Sequence, residues 1–251
     1  MSSAWALGQR ALREAVRTPE ALIPTLFIPL FFLVVNVGQA AEIFPSASTE
    51  FLNGQGYGAF QLPSSLLLAA SFGTAALFLV EEIEGGYFDK LRAAPVPRTA
   101  IISGRLMAEA VKGVFIAAAI ILLGLIFGIQ IASGVLGFFL LVAISALWAV
   151  VFTGYMQLIA IKTRSAAATN SGGLVFFPLL FLTPNFVPRS LLTSPMEVAA
   201  SLNPVTYVME SLRSLILDDL AWSSIWPGFA VVVVAGTLML TLNIRMIKHY
   251  D

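Results

Sequence analysis

Long apolar runs alternate with short polar ones along the chain. Six of the apolar runs are near the ~20 residues that an α-helix needs to cross a bilayer. They lie at about Ala21–Val37, Ala59–Val80, Val111–Ile131, Val135–Ile161, Ala166–Thr183 and Ile225–Ile244. The first contains Pro24 and Pro29, which membrane helices tolerate and which should kink it. The fifth is short and contains the flexible pair Gly172-Gly173. Ala132–Gly134 reads as a tight turn between the third and fourth spans. Ahead of the first span, Ser2–Arg17 is amphipathic. Trp5, Leu12 and Val16 share one helical face, and Arg10, Arg13 and Arg17 take the other. This pattern predicts a helix lying in the membrane interface with its basic face toward headgroups. The alternative is an ordinary flanking segment that is basic because it is cytoplasmic. Thr18-Pro19-Glu20 then reads as a helix start, with Thr as N-cap and Pro at the first helical position.

Between the fifth and sixth spans, residues 184–224 carry Pro184, Pro188, Pro195 and Pro204 and should not cross. Asn203-Pro204 opens a helix there. Val205, Val208, Met209, Leu212, Leu215 and Ile216 follow at helical spacing, with Glu210, Arg213 and Ser214 opposite. At about 21 Å this helix is too short to span, so it should lie at the surface or dip partway in.

The densest charged stretch is Glu81–Arg98, which reads EEIEGGYFDKLRAAPVPR. It holds Glu81, Glu82, Glu84, Asp89, Lys90, Arg92 and Arg98, seven of the chain's 28 Asp, Glu, Lys and Arg residues, so it belongs in water. Gly85-Gly86 frees the backbone, and Tyr87–Ala94 can form about two helical turns with Phe88 and Leu91 on one face. Pro95 and Pro97 stop it. One reading is a stiff helix that presents Tyr87, Phe88 and Leu91 to a partner. The other is a solvated loop between spans.

Composition supports the membrane reading. Only 11% of residues are charged and the mean hydropathy is +0.89, against about 25% charged in soluble domains. The distribution of charge sets the orientation. With six spans, Arg10, Arg13, Arg17, Lys90, Arg92, Arg98, Arg105, Lys112, Lys162, Arg164, Arg245 and Lys248 fall on one side, and only Arg189 and Arg213 on the other. By the positive-inside rule both termini and Glu81–Arg98 are cytoplasmic, and the Asn203 helix is outside. No small-residue cleavage site follows the first span, so it is expected to remain as an anchor. Arg105 and Glu109, four apart, are candidates to pair at the wet end of the third span.

Catalytic patterns are scarce. There is no phosphate-binding G-x-x-x-x-G-K-[ST] loop and no H-E-x-x-H, and the single histidine, His249, is at the tail. Catalytic and metal-binding residues are therefore expected to be absent. Glu81, Glu82 and Glu84 are adjacent carboxylates that rarely converge on one cation. Asn36, Gln39, Thr153, Gln157, Asn170 and Thr183 are uncharged polar residues in or near spans, suited to helix–helix hydrogen bonds or to a substrate path. Phe176, Phe177 and Phe181 suit an apolar cargo, core packing or lipid.

Two motifs point to one family. Glu82–Arg105, E-I-E-G-G-Y-F-D-K-L-R-A-A-P-V-P-R-T-A-I-I-S-G-R, resembles the stretch between spans 2 and 3 of ABC type-2 exporter permeases. Leu202–Arg213, L-N-P-V-T-Y-V-M-E-S-L-R, resembles that family's Asn-Pro-x-Thr-Tyr stretch before span 6. Arg17-Thr18-Pro19 with Pro29 is similar to the start of span 1 in its drug-resistance branch. Gly86-Tyr87 departs from the Gly-Thr common at that place.

The resemblance covers essentially the whole chain. It implies one all-α polytopic domain over residues 1–251. The six transmembrane helices are joined by an interfacial N-terminal helix, a cytoplasmic coupling helix, and short outer helices before the last span. It also implies a plasma-membrane exporter subunit that pairs with a second copy or a sister permease. Two copies of a separate ABC ATPase would bind ATP and Mg, and lipids, not nucleic acid, would surround the chain. Carried over by motif, Tyr87, Phe88, Asp89, Lys90, Leu91 and Arg92 would couple to the ATPase. Phe88 and Leu91 would fill its groove, and Glu82 and Glu84 would hold the gate region. Asn203, Pro204, Tyr207, Glu210 and Arg213 would form an outer gate, and Asn36, Gln157, Phe176, Phe177 and Phe181 are candidates for the path. The cargo would be lipophilic or amphiphilic; a lipid or lipid-linked glycan is the alternative. A membrane-embedded lipid-modifying enzyme, with Asp218-Asp219 as its only candidate pair, and a non-transporting sensor are the competing classes.

Overall fold

A computed structural model describes residues 3–72, 74–93 and 96–248. Among them every regular element is a helix and no strand occurs. In order come α1 (Ser3–Arg17), α2 (Pro19–Ala40), α3 (Tyr57–Ala70), α4 (Thr74–Glu84), α5 (Tyr87–Ala93) and α6 (Arg98–Ile126). Then follow α7 (Gly134–Thr163), α8 (Ala166–Gly173), α9 (Phe176–Phe181), α10 (Ser194–Leu202), α11 (Pro204–Leu217) and α12 (Trp222–Lys248). Four are long and apolar enough to cross a membrane: α2 from Ile23, α6, α7 and α12. Ser2, Ala94, Pro95 and His249, named in the sequence reading, lie outside the described residues.

The other two expected spans are each broken. The run Ala59–Val80 is split between α3 and α4. At the break the Ser71 hydroxyl donates back to the Leu67 carbonyl at 2.8 Å and accepts the Trp148 indole N–H at 3.0 Å. A side chain that bonds its own backbone in this way competes with the helical ladder. The run Ala166–Thr183 is split between α8 and α9. There Leu174, Val175 and Phe177 donate three residues back, to Ser171, Gly172 and Leu174. Gly172-Gly173 favours helix poorly, and Pro178 has no N–H to offer the Leu174 carbonyl.

The centre of the bundle is α3, buried along almost its whole length and packed between α2, α6, α7 and α11. A helix apolar all round needs such a position. Helices α6 and α7 run against each other closely at Gly113, where an added Cβ would stand 3.1 Å from the Ala146 Cα. Gly113→Val should therefore force the two helices apart, destabilising the protein by about 1–3 kcal/mol, read as a lower melting temperature in detergent.

With 29 residues, α6 is about 43 Å long and separates two ends of the molecule. At one end Leu79, Val80, Phe88, Ile101, Ile102, Leu106 and Ile247 form a second apolar core. At the other, the turn before α7 meets the last carbonyls of α11. Helix α1 does not lie apart from the bundle. It packs along α6, and a Cβ at Gly8 would come within 3.1 Å of the Gly104 carbonyl oxygen. Trp5 is exposed, but Arg10 turns inward, away from the basic face expected of it. Thr18 stands at the N-cap position of α2, yet its hydroxyl donates to the Glu14 carbonyl at 2.9 Å instead of capping.

Candidate functional site

The end marked by α5 is tied together by one carboxylate. Glu82, in the last turns of α4 and only 7% exposed, accepts from Arg10 of α1 at 2.6 Å and from Arg105 of α6. Arg10 also lies over the Tyr87 ring of α5, 4.3 Å from its centroid. Three helices thus meet at Glu82, and α5 joins them through Arg10. Glu14 of α1 shares the junction, and burial, with Glu82 nearby, raises its pKa above the usual carboxylate value. The pairing expected between Arg105 and Glu109 does not form. Arg105 reaches across to Glu82, and Glu109 pairs with Lys112 at 2.7 Å. Both of these α6 pairs are buried, and a buried charge needs the partner that also meets its hydrogen bonds.

Glu84 serves a different contact, accepting from the Ala166 N–H at the start of α8 at 3.2 Å. Glu82 and Glu84 therefore serve separate contacts. Gly86, at φ +70, turns the chain from α4 into α5. On α5, Tyr87, Asp89 and Lys90 are exposed and Leu91 is half-buried. Phe88 is 1% exposed and packs into the second core, so it is not presented to a partner as the sequence reading expected. A seven-residue helix can hold its place only by burying one face, and Phe88 is that anchor. The side chain of Arg92 lies outside the described ones.

At the opposite end α11 is the organising element. Asn203 accepts from the Val205 N–H at 3.0 Å, capping the helix, and donates to the Leu179 carbonyl at 2.6 Å, which ties it to α9. Asn203→Ala should lose both bonds and cost about 1–3 kcal/mol of stability in thermal melts. Val205, Val208, Met209, Leu212, Leu215 and Ile216 are fully buried, as their spacing predicts. Arg213 and Ser214, expected on an open face, are also buried, because α3 and the loops close over them. Arg189 grips Glu210 through both carboxylate oxygens, at 3.0 and 2.7 Å, and lies 5.3 Å from the Tyr207 ring centroid. Tyr207 donates to the Ser201 carbonyl.

The carbonyls that end α11 are met by side chains from other loops. Gln55 donates to Ile216, Asn53 to Leu217, and Ser133 to Leu215. A helix end buried in this way needs such partners. Sequence reasoning missed Asn53, Gln55 and Ser133. Their only signal was amide and hydroxyl residues in the two Gly-containing turns, at Asn53–Gly56 and Ala132–Gly134.

Between the two ends, two small cavities adjoin at Leu68 and Phe177. One, about 160 Å³, lies where both broken spans face each other, lined by Ser71, Phe72, Met156, Asn170 and Leu174. The other, about 100 Å³, is lined by Phe32, Asn36, Ser64, Phe181, Asn185 and Phe186. The structure thus brings Asn36, Phe177 and Phe181 together. Phe176 lines the first cavity but is mostly core, packed on Trp148 and Phe152. Gln157 is fully buried on α7 with neither amide atom bonded, and it lines neither cavity. A polar chain borders the second cavity. Asn36 donates to Gln61, and Gln61 donates to both the Tyr57 hydroxyl and the Asn185 carbonyl.

A helical bundle with four helices long and apolar enough to cross a membrane is that of a polytopic membrane protein. Residues 2–217 match the family described as ABC-2 type transporter, and the chain belongs to that family. It is similar to the daunorubicin resistance ABC transporter permease protein DrrB1 of Streptomyces coeruleorubidus. That match is 24% identical over 245 residues, covering 94% of this chain and 82% of the relative. It is also similar to the putative transport permease ycf38 of Cyanophora paradoxa, 26% identical over 222 residues, covering 83% of this chain and 72% of the relative.

Proposed function

We propose that this chain is the membrane subunit of an ATP-driven exporter that moves a lipophilic or amphiphilic compound outward by alternating access. ATP and Mg bind a separate ABC ATPase, two copies of which serve a permease dimer. The observation that carries this reading is the Glu82 junction. It joins α1, α4, α5 and α6 into one unit, while α5 leaves Tyr87 and Lys90 exposed on the side away from the second core. A push on α5 is then delivered to the spans rather than absorbed by a loop.

In this reading the four long spans are completed by the two broken ones, α3–α4 and α8–α9, giving six passes through the plasma membrane. Both termini and α5 are cytoplasmic, in keeping with the twelve-to-two distribution of Lys and Arg. Helix α1 lies at the inner interface, and α11 belongs to the outer gate. The adjoining cavities at Leu68 and Phe177 lie on the cargo's route, and their apolar lining suits the drug resistance that names one relative.

The chain has no cysteine, so a single introduced one reports cleanly. Lys90→Cys should cross-link to an ABC ATPase expressed with the permease, and a cysteine at Leu220, at the other end, should not. Equal cross-linking at both positions, or at neither, contradicts the docking assignment. For the route, Leu68→Trp should fill the adjoining cavities and cut ATP-dependent uptake into inverted vesicles by about tenfold while the ATPase stays bound. Unchanged uptake would remove these cavities from the path.

A further inference from the structure

The two adjoining cavities at Leu68 and Phe177 carry no Asp, Glu, Lys or Arg on their walls among the described residues. Phenylalanine rings line them instead. Phe72 and Phe177 lie on the first, and Phe32, Phe177, Phe181 and Phe186 on the second. None of these five is buried, so a ligand can reach their faces. With about 160 and 100 Å³ of space, the cavities take a small ring system.

Most polar groups on these walls are already paired within the chain. Ser64 donates to Asn185, Ser65 to the Pro29 carbonyl and Ser71 to the Leu67 carbonyl. Two amides keep capacity to spare. Asn170 of α8 lines the first cavity, is exposed, and makes no side-chain hydrogen bond among the described residues. Asn36 of α2 lines the second and donates to Gln61 at 3.3 Å, which leaves its carbonyl oxygen to accept. An amide offers donors and an acceptor but no charge.

An ion that leaves water for such a wall loses its hydration and gains no counter-charge. Ring faces attract an ammonium, but by less than that loss. We propose that the paired cavities select an uncharged aromatic amphiphile, with its rings against Phe72 and Phe177 and its hydroxyl or carbonyl on the Asn170 or Asn36 amide. This selectivity rests on the exporter reading above and narrows its cargo from lipophilic or amphiphilic compounds to uncharged ones. Binding itself is measured without any ATPase.

The test is thermal unfolding of the purified full chain in neutral detergent, with probes that share one ring system: 2-naphthylmethanol, 2-naphthylmethylammonium and 2-naphthoate. Binding reads as a saturable rise in melting temperature. The alcohol should bind at least about tenfold more tightly than either ion. Leu68→Trp should abolish the alcohol's shift. Asn170→Asp puts a carboxylate on the wall and should move the preference about tenfold toward the ammonium, with naphthoate still excluded. Asn170 is exposed, so this variant decides the matter even if Leu68→Trp fails to fold. The selectivity is overturned by no shift with the alcohol, by an ion that binds the parent as well as the alcohol does, or by an unchanged preference in Asn170→Asp. A shift that survives in folded Leu68→Trp overturns it too. Alcohol binding without ATP-dependent uptake into inverted vesicles that hold the ATPase would leave the site standing and overturn the exporter reading instead.

Discussion

Glu82→Gln should be among the most damaging single changes in this chain. The amide keeps the shape of the side chain but cannot balance Arg105, which is 5% exposed and would be left charged in the interior. Breaking one side of a buried ion pair costs about 3–5 kcal/mol. The Arg10 contact adds little, since that side chain is 40% exposed. The expected result is a clear fall in melting temperature and loss of ATP-dependent uptake. Adding Arg105→Gln should restore part of the stability, because removing both charges removes the uncompensated one. A Glu82→Gln protein as stable as the parent would mean that the junction is incidental.

Phe88→Ala should be as costly, for a different reason. The ring is the anchor of α5 in the second core, among Leu79, Ile101, Ile102 and Leu106. Truncating a buried phenylalanine costs about 3–5 kcal/mol. The neighbouring Tyr87 is 39% exposed and mainly offers its face to Arg10, so Tyr87→Ala should cost no more than about 1 kcal/mol. Melting curves for the two variants therefore separate the residue that holds the helix from the one that is open to a partner. Equal losses would mean that both sides of α5 are structural.

The contrast shows what was legible in the sequence. Phe88 and Leu91 stand out as the apolar face of a short helix, but spacing alone does not say whether that face meets a partner or its own bundle. The answer depends on Ile101 and Ile102 of α6, which only the folded chain brings alongside. The interior of α11 was readable because Val205–Ile216 carries a clean helical period and Asn203-Pro204 marks its start. Helical spacing puts Arg213 on the open face of α11, whereas its cover, Phe60 and Pro184, comes from distant segments.

The charge junction was hidden for a similar reason. Local pairing on one helix favours Arg105 with Glu109, whereas Glu82, more than twenty positions away, competes for the same guanidinium and wins it. The breaks at Ser71 and Leu174 were also obscured. Hydropathy sees only continuous apolar runs, while the interruptions arise from a serine bonding its own backbone and from Pro178 withholding a donor.

In the function proposed above, force from an ABC ATPase enters through the exposed side of α5, at Tyr87 and Lys90. The direct measurement is ATP-dependent uptake of a lipophilic dye into inverted vesicles holding the permease and its ATPase. The parent is compared with Tyr87→Ala combined with Lys90→Glu. The variant should stay folded in the membrane, bind the ATPase weakly and lose uptake by about tenfold or more. Normal ATPase binding together with normal uptake in that variant would contradict it.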